Sequence, residues 1–184
     1  EATVTSSLTF TAANWDTAQN VTVTGADDDI VDGSVTSTIT VAINDGSSDD
    51  NFDAVADQTV SVTTTDDDVA GFTIAETEGS TGVDESGSTD IFTIVLDTQP
   101  SSDVVLSITS SDTGEATVES LIQFTSVNWD TPQNVTVTGV DDGIIDGTQT
   151  STITVTVVDA ITDDDFDAVA DQTVSVTTTD DDVA

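Results

Sequence analysis

The chain of 184 residues carries 37 Asp and Glu and no Lys, Arg or His, a formal charge of −37. Such a surface excludes nucleic acid and anionic membranes as partners, because both are held by Lys and Arg, and it attracts cations instead. Without His, Cys or Lys, the usual groups for acid–base and nucleophilic work are missing, so an enzyme is not expected.

Hydrophobic residues make up 35% of the chain and alternate with Thr and Ser, which points to folded strands and away from disorder. No apolar run approaches the length of a membrane span. Cysteine is absent, so no disulfide can staple the fold, and bound metal is the remaining staple. The chain begins at Glu1 without Met and reads as a window from a longer protein.

In chain order, residues 1–70 reappear as residues 115–184 without a gap, an offset of 114. "FTAANWDTAQNVTVTGADDDIVDG" from Phe10 matches "FTSVNWDTPQNVTVTGVDDGIIDG" from Phe124, and "FDAVADQTVSVTTTDDDVA" is identical in both copies. A period of this length is that of a whole domain in tandem. Residues 71–114 occur once and hold "DIFTIVLD" and "DVVLSITS", so 71–184 reads as one complete repeat. Residues 1–70 then read as the C-terminal part of another, with an open sheet edge and an uncovered core.

Strands are predicted near 72–76, 90–97, 103–109, 116–125, 133–139, 149–158 and 172–179. Val135 and Val137 share one face, Ile153, Val155 and Val157 another, and Val174 and Val176 repeat the pattern. Seven short strands with turn signals between them predict an all-β, seven-stranded antiparallel sandwich of immunoglobulin-like type.

The carboxylates gather where these strands end. Glu85 precedes the second strand and Asp112 follows the third. Asp141, Asp142 and Asp146 follow the fifth, and Asp180, Asp181 and Asp182 follow the last. In an antiparallel sandwich such ends meet at one pole. Carboxylates converging without a cationic side chain call for a hard cation. Calcium accepts 6–8 oxygens in irregular geometry, whereas magnesium demands a stricter octahedron. With no His or Cys, zinc, copper and iron sites are not expected. The first copy repeats the set as Asp27, Asp28, Asp32, Asp66, Asp67 and Asp68, while Asp29 becomes Gly143. The "ITDDDFD" loop around Asp163 and Asp164 is a second acidic run, read as a solvated loop before a metal site. Trp15 and Trp129, in the repeated "NWD", read as packing residues before a sugar-stacking platform.

"VSVTTTDDDVAGFTIAE", "VTVTGVDDGIIDG" and "VDESGSTDIFTIVL" together resemble the Calx-β domain family. The resemblance covers 71–184, and 1–70 as a partial unit. It implies a seven-stranded sandwich that binds several calcium ions at one pole. The implied ligands are Glu85, Asp112, Asp141, Asp142, Asp146, Asp180, Asp181 and Asp182, with the first-copy aspartates as their counterparts. Asp146 stands where the family often has Glu, and Gly143 where a third Asp is common.

The function expected from these residues is structural: a calcium-stabilised segment of a long extracellular fibre or adhesin. Calcium would rigidify each domain and the joint Val69-Ala70-Gly71 that follows Asp66, Asp67 and Asp68. The partners expected are adjacent repeats of the same chain and identical chains in a fibre. The alternatives are a glycan- or cell-binding adhesion module on the same scaffold and a regulatory calcium sensor. A cell-surface or secreted location matches the weak affinity of extracellular calcium modules, about 10⁻⁴–10⁻³ M.

Overall fold

In a computed structural model that describes residues 2–183, the chain clusters into two compact units. One comprises residues up to 67 and the other those from 68 onward, with residues 29–31 grouped with the second.

The first unit holds four strands in two separate pairs. Strand β1 (Ala2–Val4) pairs antiparallel with β2 (Val23–Gly25), and β3 (Val35–Val41) with β4 (Gln58–Thr64). The second unit is a two-layer sandwich. Its strands are β5 (Phe72–Glu76), β6 (Thr81–Asp84), β7 (Thr89–Leu96), β8 (Val104–Ser110), β9 (Ala116–Val118), β10 (Leu121–Phe124), β11 (Gln133–Gly139), β12 (Gln149–Val157) and β13 (Gln172–Thr179). One sheet runs β10-β8-β12-β13-β6 and the other β5-β7-β11-β9. All pairings are antiparallel except β13 with β6, which is parallel. Among the described residues no α-helix forms, in line with the Val- and Thr-rich composition.

Side-chain alternation sets the core. Ile153, Val155 and Val157 face inward from one sheet, with Val174 and Val176 beside them. Phe92, Ile94, Val135 and Val137 meet them from the other. The intervening threonines lie toward solvent. Trp129 packs against this core as expected, whereas its counterpart Trp15 is 71% exposed.

Two details differ from the sequence reading, and nine strand segments stand where seven were expected. The run 116–125 breaks after Val118: Ala116–Val118 pairs with β11, and Leu121–Phe124 crosses to the other sheet and pairs with β8. Thr81–Asp84 was not foreseen. "TGVD" lacks an apolar alternation of useful length, and it becomes a strand only because the edge of β13 supplies its hydrogen-bond partners.

The acidic loop after β12 has a structural task. Asp163 is buried, and its carboxylate accepts from the Ser101 hydroxyl (2.8 Å), the Ser102 N–H (2.6 Å), the Ser102 hydroxyl (3.3 Å) and the Asp165 N–H (3.2 Å). Burial alone would raise its pKa, but these donors outweigh burial and hold it below the usual value. The loop is thereby tied to the β7–β8 turn. Asp163→Ala is expected to cost about 2–3 kcal/mol, because it strips an ionised acceptor from several donors at once. Thermal unfolding should show the same loss with and without calcium.

Candidate metal centre

Strand directions bring five chain segments to one pole of the sandwich. β6 and β13 run parallel, so Asp84 and Thr179 lie together, and the Glu85 N–H donates to the Thr179 carbonyl at 3.1 Å. β12 runs against β13, which places Gln149 there as well. The Gly139 N–H donates to the Ser88 carbonyl (3.0 Å), and the Val140 N–H to that of Glu115 (2.9 Å). The end of β11, the start of β9 and the β6–β7 turn therefore share this pole.

Gly139 makes this assembly possible. A Cβ on it would fall deep inside contact with the Asp84 carbonyl oxygen and 2.9 Å from the Asp84 carbonyl carbon. Only glycine lets the β6–β7 turn, which carries Glu85, close onto β11.

At the pole, Glu85 is 1% exposed, and neither carboxylate oxygen has a hydrogen-bond partner. Two groups of carboxylates form around it, one with Asp180 and Asp182 and one with Glu115 and Asp146. In each group the candidate ligand oxygens lie within 4.8 Å of one another. Two oxygens on a single calcium ion, at about 2.3–2.6 Å each, lie at most about 5 Å apart. Oε2 of Glu115 and Oδ2 of Asp182 are likewise buried without partners.

The electrostatics are those of an uncompensated anionic cluster. Burial pushes the Glu85 carboxyl up to about 7, with Asp180, Asp142, Glu115 and Asp146 adding repulsion. Glu115 is raised by burial and then by Asp146, Asp112, Asp142 and Asp180. Asp182 is raised by burial and then by Asp180, Asp141, Asp181 and Asp142. Asp180, by contrast, is lowered, because the Gly147 N–H (2.7 Å) and the Asp182 N–H (2.8 Å) donate to it. Those two bonds fix Asp180 as the pivot between the β11–β12 loop and the chain leaving β13.

Of the residues singled out from the sequence, Glu85, Asp146, Asp180 and Asp182 fall in the two groups. Asp142 is near enough to raise Glu85, Asp112 to raise Glu115, and Asp141 and Asp181 to raise Asp182. Oδ1 of Asp112 is engaged by the Gly114 N–H at 2.9 Å, and Oδ1 of Asp142 by the Ile144 N–H at 2.7 Å. Glu115 was missed. It opens the aligned repeat as the counterpart of Glu1, and that identity was the available signal.

In the first unit the Gly33 N–H donates to Asp66 at 2.6 Å, the counterpart of the Gly147–Asp180 bond. Asp27, Asp28, Asp32, Asp66, Asp67 and Asp68 join no such group among the described residues. Residues 2–67 contain no counterpart of Glu85.

No protein-family model matches the chain, and no curated protein matches it. Solved structures do. The Escherichia coli chaperone DraB aligns at 8% identity and a TM-score of 0.44, over 63% of this chain and 58% of DraB. An apo-form Calx CBD1 domain aligns at 14% identity and 0.43, over 60% of this chain and 98% of that domain. Domains 4 and 5 of the S-layer protein SbsC align at 21% and 0.40, over 67% and 63%. At this level the similarity is one of β-rich architecture, and the site rests on its own geometry.

Proposed function

We propose that this chain is a calcium-stabilised structural segment of a tandem-repeat extracellular protein. The observation that carries the reading is Glu85: a buried carboxylate with no hydrogen-bond donor, facing Asp180, Asp182, Glu115 and Asp146. The chain contains no cationic side chain to neutralise them. A folded protein leaves such a group unpaired only at high cost, and a divalent cation removes that cost.

The donor set is all oxygen, which suits calcium and excludes metals that need nitrogen or sulfur. Glu85 and Asp180 would anchor the ion, Glu115 and Asp146 would hold it or a neighbouring ion, and Asp182 would tie in the departing strand. Asp112, Asp141, Asp142 and Asp181 would supply the surrounding negative field. Asp180 and Asp182 are almost the last residues before the repeat ends, so occupancy would restrain the chain where one repeat hands over to the next.

Calcium titrated into chelator-treated protein should release or absorb heat with saturation near 10⁻⁴–10⁻³ M, the range of extracellular modules. Magnesium at equal ionic strength should show no saturating event. Equal, unsaturable heats for both ions would reduce the pole to a solvated acidic surface.

A further inference from the structure

The two copies of the repeat provide an internal comparison. "QNVTVTG" occurs as residues 19–25 and 133–139. In the second unit all seven residues are strand, while in the first only Val23–Gly25 are. Residues 133–138 pair with β7, whereas among the described residues β2 pairs with β1 alone. Likewise Leu121–Phe124 is a strand on β8, whereas the matching residues 7–10 are not strand.

The faces differ in the same way. Val174 is 2% exposed and its counterpart Val60 is 54%; Val155 is 0% and Val41 52%; Phe124 is 0% and Phe10 54%. In the second unit these residues and edges are covered by β5 to β8, all within residues 71–114: β8 lies on β12, β6 on β13 and β7 on β11. Among the described residues β3 and β4 form a sheet of two strands only.

Gly25 is the second, independent mark. Its counterpart Gly139 is required by the Asp84 carbonyl, yet a Cβ on Gly25 would meet only Thr64 Cγ2 at 3.4 Å. Among the described residues no turn lies against Gly25 as the β6–β7 turn lies against Gly139.

We propose that the first unit is an acceptor for a polypeptide segment carrying the strand set of residues 71–114. That segment would add strands to β2, β3 and β4, cover Phe10, Val41 and Val60, and lay its β6–β7 turn against Gly25. The occupant is specified by the second unit, where the same segment covers the same residues. The inference does not depend on the metal.

The test mixes the full chain with a synthetic peptide of residues 71–114, in chelator, with a Phe92→Asp, Ile94→Asp peptide as control. Both of those side chains are fully buried in the second unit. The expected result is one peptide per chain by sedimentation, with hydrogen exchange of residues 35–45 slowed at least tenfold. That stretch differs in sequence from 149–159, so its fragments are distinguishable. The control peptide should neither bind nor protect. No uptake of the wild-type peptide would overturn the proposal, as would a dimer of the chain that buries Val41 and Val60 and shuts the peptide out.

A peptide that aggregates is bypassed by fusing a second copy of 71–114 ahead of Glu1, which recreates the Gly114–Glu115 junction. A second cooperative unfolding unit should appear, and Gly25→Ala, silent in the original chain, should now destabilise it. If Gly25→Ala stays silent in the extended chain, the segment is not the occupant.

Discussion

Glu85→Gln should abolish the calcium dependence of stability, and in chelator it should make the protein more stable, not less. The residue belongs to both carboxylate groups at the pole, so its loss removes an oxygen from each. Removing an outer-shell partner of a metal typically costs 10–100-fold in affinity, and a direct ligand should cost more than about 100-fold. Calcium would then have no effect on unfolding across the millimolar range.

The metal-free protein should behave in the opposite way. The Glu85 carboxyl sits at about 7 when folded, against 4.5 for the free group. Between those values the folded state holds a proton that the unfolded state has lost. Stability in chelator therefore falls as pH rises from 4.5 to about 7, and stays low above it. Glu115 and Asp182, also raised, push the same way. Glu85→Gln removes the largest share of that fall. Above pH 7 the variant should unfold at a higher temperature than wild type in chelator and at a lower one in calcium. If the variant is less stable in both, Glu85 is a packing residue.

Gly139→Ala should be the most damaging single methyl in the second unit. The atoms in its way are backbone, the carbonyl of Asp84, and cannot rotate aside. Overpacking of this kind costs about 1–3 kcal/mol, and here the upper end is expected. The strain would push the β6–β7 turn outward and take Glu85 with it, so calcium affinity should fall together with stability. Gly25→Ala, the same change in the same local sequence, should lie within about 0.5 kcal/mol of wild type. Denaturant unfolding of the two variants side by side checks both values, and equal losses would contradict the close approach at Gly139.

The inward faces of the strands and the clustering of carboxylates at strand ends follow from features that a single strand displays by itself. Alternation placed Val135, Val137, Ile153 and Val155 inward, and all four are buried. Carboxylates at strand ends marked the pole because strand direction alternates along the chain. The elements that were not legible depend on a partner. Thr81–Asp84 is a strand because of β13, and 116–125 divides because two sheets claim its halves. Glu115 was obscured because it stands alone in the turn before β9 instead of in an acidic run. Its importance arises from burial beside Glu85, which only the fold creates. Asp163 shows the converse: it sits in an acidic run, and its four hydrogen bonds give it a structural task.

Thermal unfolding in excess calcium and then in chelator, with magnesium at equal ionic strength, tests the central claim most directly. At a hundredfold excess over its dissociation constant a ligand adds about 2.7 kcal/mol. For a domain of this size that corresponds to a rise of roughly 10 °C in Tm. The account predicts that rise with calcium and little change with magnesium, and its loss in Glu85→Gln. Equal and small shifts with both ions, unchanged in Glu85→Gln, would contradict it.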